Sequence, residues 1–246
     1  MLYKSADIKI MELEKFEIKY KNFIVHYKTR SFTWDSIVVN EILDEYSKCL
    51  ELSIDGLPII DLGAHIGGFS KLASTIYPNS KIYAYEPDIQ SYNLLQENMV
   101  GINNFISYNK AVSGEETVGF LWKKLNTNSK ATRAGYSDPA MYEVLWDTEK
   151  NKEDGVVVEC VPINSIFNSL KEVGLIKIDC EGSELTFLKY LSQENKNKIK
   201  YIVGEVHPSE KIIQNCDSKH SDGEIIRDFF KGFKIIVKAR TFFGWK

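Results

Sequence analysis

IIDLGAHIGGFS, residues 59–70, is the stretch whose reading decides the fold. An apolar run closes on Asp61, a turn begins at Gly63 and Ala64, and Gly67 and Gly68 lead into a new pattern. There Phe69, Leu72, Ala73 and Ile76 recur at i, i+3, i+4 and i+7, which puts them on one face of a helix. The stretch therefore reads as a buried strand, a glycine turn and an amphipathic helix, a unit that offers backbone N–H groups to a ligand. Three ligands compete for such a turn: a nucleoside triphosphate, a dinucleotide and S-adenosylmethionine.

The residues of the loop narrow that choice. Gly63, Gly68 and Ser70 have the spacing of a phosphate-binding GxxxxGK[ST] loop, but Phe69 stands where the lysine should meet the β- and γ-phosphates. Gly63 and Gly68 can serve as the outer glycines of a dinucleotide GxGxxG, yet His65 fills the middle position, where a glycine lets the backbone approach a pyrophosphate. A ligand without a pyrophosphate has no need of that glycine. Glu86 ends the next β-rich run, where a carboxylate can accept both ribose hydroxyls of an adenosine. This placement suits NAD and S-adenosylmethionine alike.

Working outward, β-rich runs alternate with helical patterns, the signature of an α/β sheet. KIYAYEP is a second strand, followed by a helix that Asp88 can cap and whose inner face carries Tyr92, Leu95 and Met99. NFISYNKAV reads as a third strand, and GLIKIDC and KYIVGEVH as two more with the helix SELTFLKYL between them. FKIIVKARTFFGWK closes tightly around Ala239 and Arg240, so the C-terminus is expected to add an antiparallel pair to a mostly parallel, doubly wound sheet. Residues 1–50 form an N-terminal extension: a strand or hairpin in IKYKNFIVHYK, then a helix capped by Asp35. The rest, residues 51–246, forms the ligand-binding domain, interrupted at 122–155 by an insertion without clear period. Loops this long inside a compact domain are commonly lids or binding segments.

Bulk properties exclude several classes. The chain has 246 residues, 43% hydrophobic and 26% charged, the balance of a globular domain with a substantial core. A net charge of −3 gives no general attraction to nucleic acid or anionic membrane. No apolar run approaches the roughly 20 residues of a membrane helix, and the charged first residues do not read as a secretory signal. Cys49, Cys160, Cys180 and Cys216 are scattered without a CxxC pair, as expected of reduced thiols in a cytoplasmic protein.

IIDLGAHIGGFS, AYEPD, NKAVS and LIKIDCEGSELTFLKYL, which follow one another in the family's order, together resemble the FkbM family of S-adenosylmethionine-dependent methyltransferases. The resemblance spans roughly residues 35–207, and SFTWDSIVVNEI places Asp35 near an acidic position of the family. The chain departs from the family at His65, where Asn is common, and at Ile163 and Asn164, where Leu-Asp is common. The resemblance implies the class I methyltransferase fold, with S-adenosyl-L-methionine as cofactor and S-adenosyl-L-homocysteine as product. It further implies that Gly63, Ala64, His65, Gly67, Phe69 and Ser70 wrap the methionine end, that Glu86 takes the ribose, and that Asn109, Lys110 and Ala111 lie near the adenine. Asp61, Pro87 and Asp179 complete the expected cofactor-binding set.

Candidate catalytic residues follow from the strand ends. Ligands of doubly wound sheets lie outside the carboxyl ends of the strands, where Asp179, Glu205 and His207 gather. Glu205 and His207 share a face by the period of two, and His207 has the ordinary pKa best suited to a general base. His207 can equally cap a strand-to-loop turn before Pro208, and Glu181 and Glu184 can simply favour a helix start. Asp61 can brace the loop without touching ligand. No ligand spacing demands a metal, so the expected chemistry is metal-free, although Asp179, Glu205 and His207 have donor types that suit a divalent ion. DCEG stands where enzymes that methylate exocyclic amines of bases carry [DN]PP[YF], and the resemblance to the family implies an O-methyltransferase, expected to act on a hydroxyl of a sugar, glycan precursor or other small metabolite. Arg133 and Tyr136 in the insertion, with Glu181, are the expected substrate contacts, fitting a phosphorylated or nucleotide-linked sugar; a solvated loop is the alternative. The acceptor is expected to be a small molecule and the protein a monomer or homodimer. The rivals are an NAD-dependent oxidoreductase and a binding module that keeps the adenosine pocket without turnover.

Overall fold

The computed structural model describes residues 12–115, 118–123, 142–145, 156–206, 222–238 and 240–246. In chain order its elements are β1 (Leu13–Tyr20), β2 (Phe23–Arg30), α1 (Asp35–Glu45), β3 (Ile59–Leu62), α2 (Gly68–Ile76), β4 (Ile82–Tyr85), α3 (Ile89–Asn98), β5 (Phe105–Tyr108) and β6 (Ala111–Ser113). They continue with β7 (Val118–Lys123), β8 (Tyr142–Leu145), β9 (Val156–Pro162), β10 (Val173–Ile178), α4 (Glu184–Leu188), α5 (Gln193–Lys198), β11 (Ile199–Glu205), α6 (Asp222–Phe229), β12 (Lys234–Lys238) and β13 (Thr241–Trp245).

Seven strands form the central sheet in the order β12-β13-β11-β10-β3-β4-β5. β11, β10, β3, β4 and β5 run parallel, and β13 is antiparallel to both its neighbours. This is the class I methyltransferase arrangement, with the antiparallel C-terminal pair in place. The chain winds outward from β3 through β4 to β5, then returns to the other side at β10, so the sheet order reverses between β3 and β10. A crevice opens at such a switch point, at the carboxyl ends of those two strands.

The strand sequences are apolar at nearly every position because both faces of the sheet are covered. Successive side chains point to opposite faces. Ile59, Leu175 and Val203 accordingly pack on one side with Val39, Ile42, Leu72 and Tyr27. Ile60, Ile176 and Ile202 pack on the other with Phe167, Phe187, Leu188 and Phe230. The N-terminal hairpin and α1 thus share the first of these cores: Ile18, Val25, Val39 and Ile42 are buried against residues of β3 and α2.

Three local expectations need revision. The NFISYNKAV run is split: β5 ends at Tyr108, and β6 joins a second, four-stranded sheet in the order β6-β9-β7-β8. The break falls at Asn109, whose side-chain amide donates to the carbonyls of Glu86 at 2.9 Å and Pro87 at 3.0 Å, turning the chain away from β4. The expected insertion begins inside β7 and includes β8, so its start is strand; residues 124–141 and 146–155 lie outside the described residues. Asp35 does not cap α1. It is the first helical residue, its N–H is met by Thr33 Oγ1, and its carboxylate turns to Arg30. Asp88, by contrast, caps α3 by accepting from the Ser91 N–H.

Candidate active site

At the switch point the backbones of β3 and β10 come close enough that a Cβ on Gly63 would fall 1.8 Å from the Asp179 carbonyl oxygen. Gly63 also holds a φ of +77°, which a side chain would oppose. Above this junction lies a cavity of about 1090 Å³, open to solvent on one side.

One wall is the glycine loop. His65 adopts φ +50°, and its backbone N–H donates to Glu86 Oε2 at 2.8 Å. Glu86 Oε1 accepts from the Asp88 N–H at 2.8 Å. Burial pushes the Glu86 carboxyl up to about 7 against those two N–H donors. Each of its oxygens retains a further lone pair with which to accept a hydroxyl. Beyond Glu86 the lining turns apolar, with Tyr85, Ala111, Val112 and Leu121.

The N-terminal segment holds the loop from behind. Arg30 forks onto Asp35, with Nε to Oδ2 and Nη2 to Oδ1 both at 2.9 Å, and the Arg30 backbone N–H also donates to Oδ2. Burial opposes the Asp35 charge, but Arg30 outweighs it and keeps that carboxyl below its ordinary range. Arg30 Nη2 lies 3.2 Å from His65 Nε2, and Asp35 Oδ1 lies 3.4 Å from it. Burial lowers the His65 pKa to about 4 despite Asp35, so the ring is neutral at pH 7.

Beneath the cavity floor, Lys177 reaches from the middle of β10. Its Nζ donates to the Gly63 carbonyl at 2.7 Å and lies 3.2 Å from Asp61 Oδ1 and 3.7 Å from Asp179 Oδ2. Burial would discharge this ammonium, but Asp61 and Asp179 overcome it and raise its pKa. Asp61 is fully buried and also accepts from Ser70 Oγ at 2.7 Å. Asp179 accepts from the Tyr46 hydroxyl at 2.9 Å. The opposite wall is α1, whose Glu41 and Glu45, one turn apart, line the cavity together with Glu205 at the end of β11. Burial, then Glu205, Asp179 and Glu41, push the Glu45 carboxyl up to about 7.

The structure brings Gly63, Ala64, His65, Phe69, Glu86, Pro87, Lys110, Ala111, Asp179, Glu181 and Glu205 to the cavity lining. It places four other expected cofactor residues in the supporting layer. Asp61 and Ser70 bond each other, Gly67 precedes α2 at φ +88°, and Asn109 holds the chain after Glu86. His207, Arg133 and Tyr136 lie outside the described residues. Glu184, beside Glu181, opens α4 and accepts the N–H groups of Cys180 and Gly182. Sequence reasoning missed Lys177, Tyr46, Arg30, Glu41 and Glu45. The lysine alone carried a signal, a charge in the middle of the buried strand VGLIKI. Among the described residues no cluster of three or more His, Cys, Asp or Glu side chains is placed to hold a metal ion. Nor is any helix among them long and apolar enough to cross a membrane.

A family model described as the methyltransferase FkbM domain matches residues 61–235. Two curated relatives are similar to the chain. "Methyltransferase sdnD" of Sordaria araneosa is 28% identical over 170 residues, covering 60% of this chain and 65% of that protein. "Methyltransferase 1" of Beauveria bassiana (strain ARSEF 2860) is 25% identical over 175 residues, covering 65% of each. The match thus spans a little under two thirds of the length of these relatives. Among solved structures, the precorrin-6y C5,15-methyltransferase of Geobacter metallireducens GS-15 has a TM-score of 0.46 at 14% identity, covering 89% of this chain and 92% of that one. The Methanococcus jannaschii fibrillarin pre-rRNA processing protein has a TM-score of 0.45 at 13% identity, covering 98% and 85%.

Proposed function

The chain belongs to the FkbM methyltransferase family, and from that premise we propose that it is an S-adenosylmethionine-dependent methyltransferase that methylates a hydroxyl of a sugar, glycan precursor or other small metabolite. The observation that carries the reading is a single cavity beside the glycine loop, lined by Glu86, by apolar side chains such as Tyr85, Ala111 and Val112, and by the carboxylates of Glu41, Glu45, Asp179 and Glu205. That mixed lining suits an adenosine together with a polar acceptor.

The residues fit the cofactor. Glu86 would take the ribose hydroxyls, Tyr85, Ala111 and Val112 would flank the adenine, and Gly63, Ala64 and His65 would face the methionine end. When bound, the cofactor supplies an electrophilic methyl group on a sulfonium. The protein's task is then to hold the acceptor in line, exclude water and receive a proton. Asp179, bonded by Tyr46, and Glu205 stand at adjacent strand ends where they can orient an acceptor. DCEG after β10 in place of an amine-methylating signature supports a hydroxyl acceptor.

Thermal denaturation with added nucleotides tests the cofactor. S-adenosylhomocysteine at a hundred times its Kd should stabilise the protein by about 2.7 kcal/mol, and NAD should not. Stabilisation by NAD alone would overturn the reading. Transfer of a labelled methyl group only to amines or nucleic acid would overturn the hydroxyl assignment.

A further inference from the structure

Methylation of a hydroxyl needs a group to receive the proton, and the carboxylates lining the cavity differ in what already occupies them. Glu86 accepts two backbone N–H groups. Asp179 is engaged by the Tyr46 hydroxyl and the Lys177 ammonium. Glu181 and Glu205 have partners of their own. Glu41 and Glu45 remain, and no hydrogen bond or ion pair ties down either carboxylate among the described residues. Glu41 is exposed, whereas Glu45 is half-buried at the last turn of α1, directly before Tyr46. The charges facing Glu45 come from every element around it: Glu205 of β11, Asp179 beyond β10, Glu41 of its own helix, and Lys177 in opposition. It therefore lies at the acidic end of the cavity, over the strand ends.

We propose that Glu45 is the general base that receives the acceptor's hydroxyl proton. The assignment rests on the methyltransferase reading. In the step, the acceptor oxygen bonds to the methyl carbon as the carbon–sulfur bond breaks, its electron pair remaining on sulfur. The hydroxyl proton passes to a Glu45 oxygen, so an alcohol, a sulfonium and a carboxylate give an ether, a thioether and a carboxylic acid. No other reactant is required. Burial among like charges holds this carboxyl near 7, where it can both accept a proton and release it to water between turnovers.

The test uses the full chain saturated with S-adenosylhomocysteine. NMR of ¹³C-labelled glutamate carboxyls is followed over about pH 4 to 9, with the resonance missing from E45Q identifying Glu45. A midpoint between about 6 and 8 is expected, and one near the ordinary value of about 4.3 overturns the proposal. In parallel, tritium transfer from labelled S-adenosylmethionine to a panel of methyl glycosides and polyols should fall at least about 100-fold in E45Q. E45D should restore part of the rate, with S-adenosylhomocysteine affinity within about threefold of wild type in both. An E45Q protein that turns over at the wild-type rate overturns the proposal, as does one whose residual rate follows the same pH profile. Failure of the wild type to bind S-adenosylhomocysteine is a different result: it sinks the methyltransferase reading, and the Glu45 role with it.

Discussion

Replacing Lys177 with methionine keeps the length and apolar bulk of the side chain and deletes only its charge. The ammonium lies 3.2 Å from Asp61 and 3.7 Å from Asp179, and it also donates to the Gly63 carbonyl. Asp61 has no exposure, while the Asp179 side chain keeps 22%, so the penalty falls mainly on Asp61. Breaking a buried ion pair by removing one partner costs about 3–5 kcal/mol because the other charge is left uncompensated. Partial hydration of Asp179 and the Ser70 hydroxyl on Asp61 put this case at the lower end, about 3 kcal/mol. That is a large part of the 5–15 kcal/mol stability of an ordinary domain. Urea unfolding followed by circular dichroism should show a midpoint about 1 M lower at an m-value of about 3 kcal/mol/M. The pH dependence has a definite sign. Lys177 has a folded pKa raised above 10.5, so its contribution is complete below that value and is lost only as pH rises through the folded pKa. The gap between wild type and K177M should therefore be flat through neutral pH and close in strong alkali. A loss below about 1 kcal/mol at pH 7 would refute the claim that this lysine neutralises the floor of the cavity.

Three further outcomes follow from the same geometry. G63A and G101A both place a side chain at a positive φ, but a Cβ at Gly101 meets nothing within 4 Å whereas at Gly63 it meets the Asp179 carbonyl. G101A should cost about 1–2 kcal/mol, and G63A should unfold at markedly lower denaturant or fail to accumulate as folded protein; equal costs would contradict the close approach of β3 and β10. His65 is held neutral with a pKa of about 4, so it contributes stability above its unfolded value of 6.5 that is lost as pH falls toward 4. H65N should remove a pH dependence on the order of 3 kcal/mol across that window, while Asn tolerates the left-handed backbone; chemical denaturation at stepped pH reads it. Y46F removes the hydroxyl that Asp179 accepts and should cost about 1 kcal/mol in stability, measured by denaturant midpoint, with a larger cost in turnover than in S-adenosylhomocysteine binding.

What the sequence made legible was whatever depends on local pattern. The strand of residues 59–62, the glycine turn and the helix after it follow from apolar spacing, and Glu86 and Asp179 could be placed because they end apolar runs. The supporting layer was not legible, because it depends on register between distant strands. Lys177 stands opposite Asp61 only through the β10–β3 pairing, which aligns residues 116 positions apart in sequence (177 − 61 = 116). Glu41 and Glu45 carry no signal of their own in the sequence, since charged residues one turn apart normally form the solvated face of a helix. Only the packing of α1 over the strand ends turns that face into a cavity wall. Asn109 hid the β5–β6 break for a similar reason: its partners are carbonyls of Glu86 and Pro87, brought near by the β4–β5 pairing.

The position of α1 then links the two halves of the site. At its first residue, Asp35 bonds Arg30 and approaches the His65 ring of the glycine loop. Just past its last, the Tyr46 hydroxyl bonds Asp179 beyond β10. Eleven helical residues span about 16 Å at 1.5 Å per residue, so this helix is tied at one end to the loop that would meet the cofactor and at the other to the strand that would meet the acceptor. Glu45 rides at the second end. A change at Asp35 should therefore be felt at both ends of the cavity, and the coupling is measurable as a cycle. If α1 transmits it, D35N and Y46F will affect turnover non-additively, although their side chains touch different walls. Additive effects within about 0.5 kcal/mol would mean that the two ends act independently and that α1 is held by its apolar face alone.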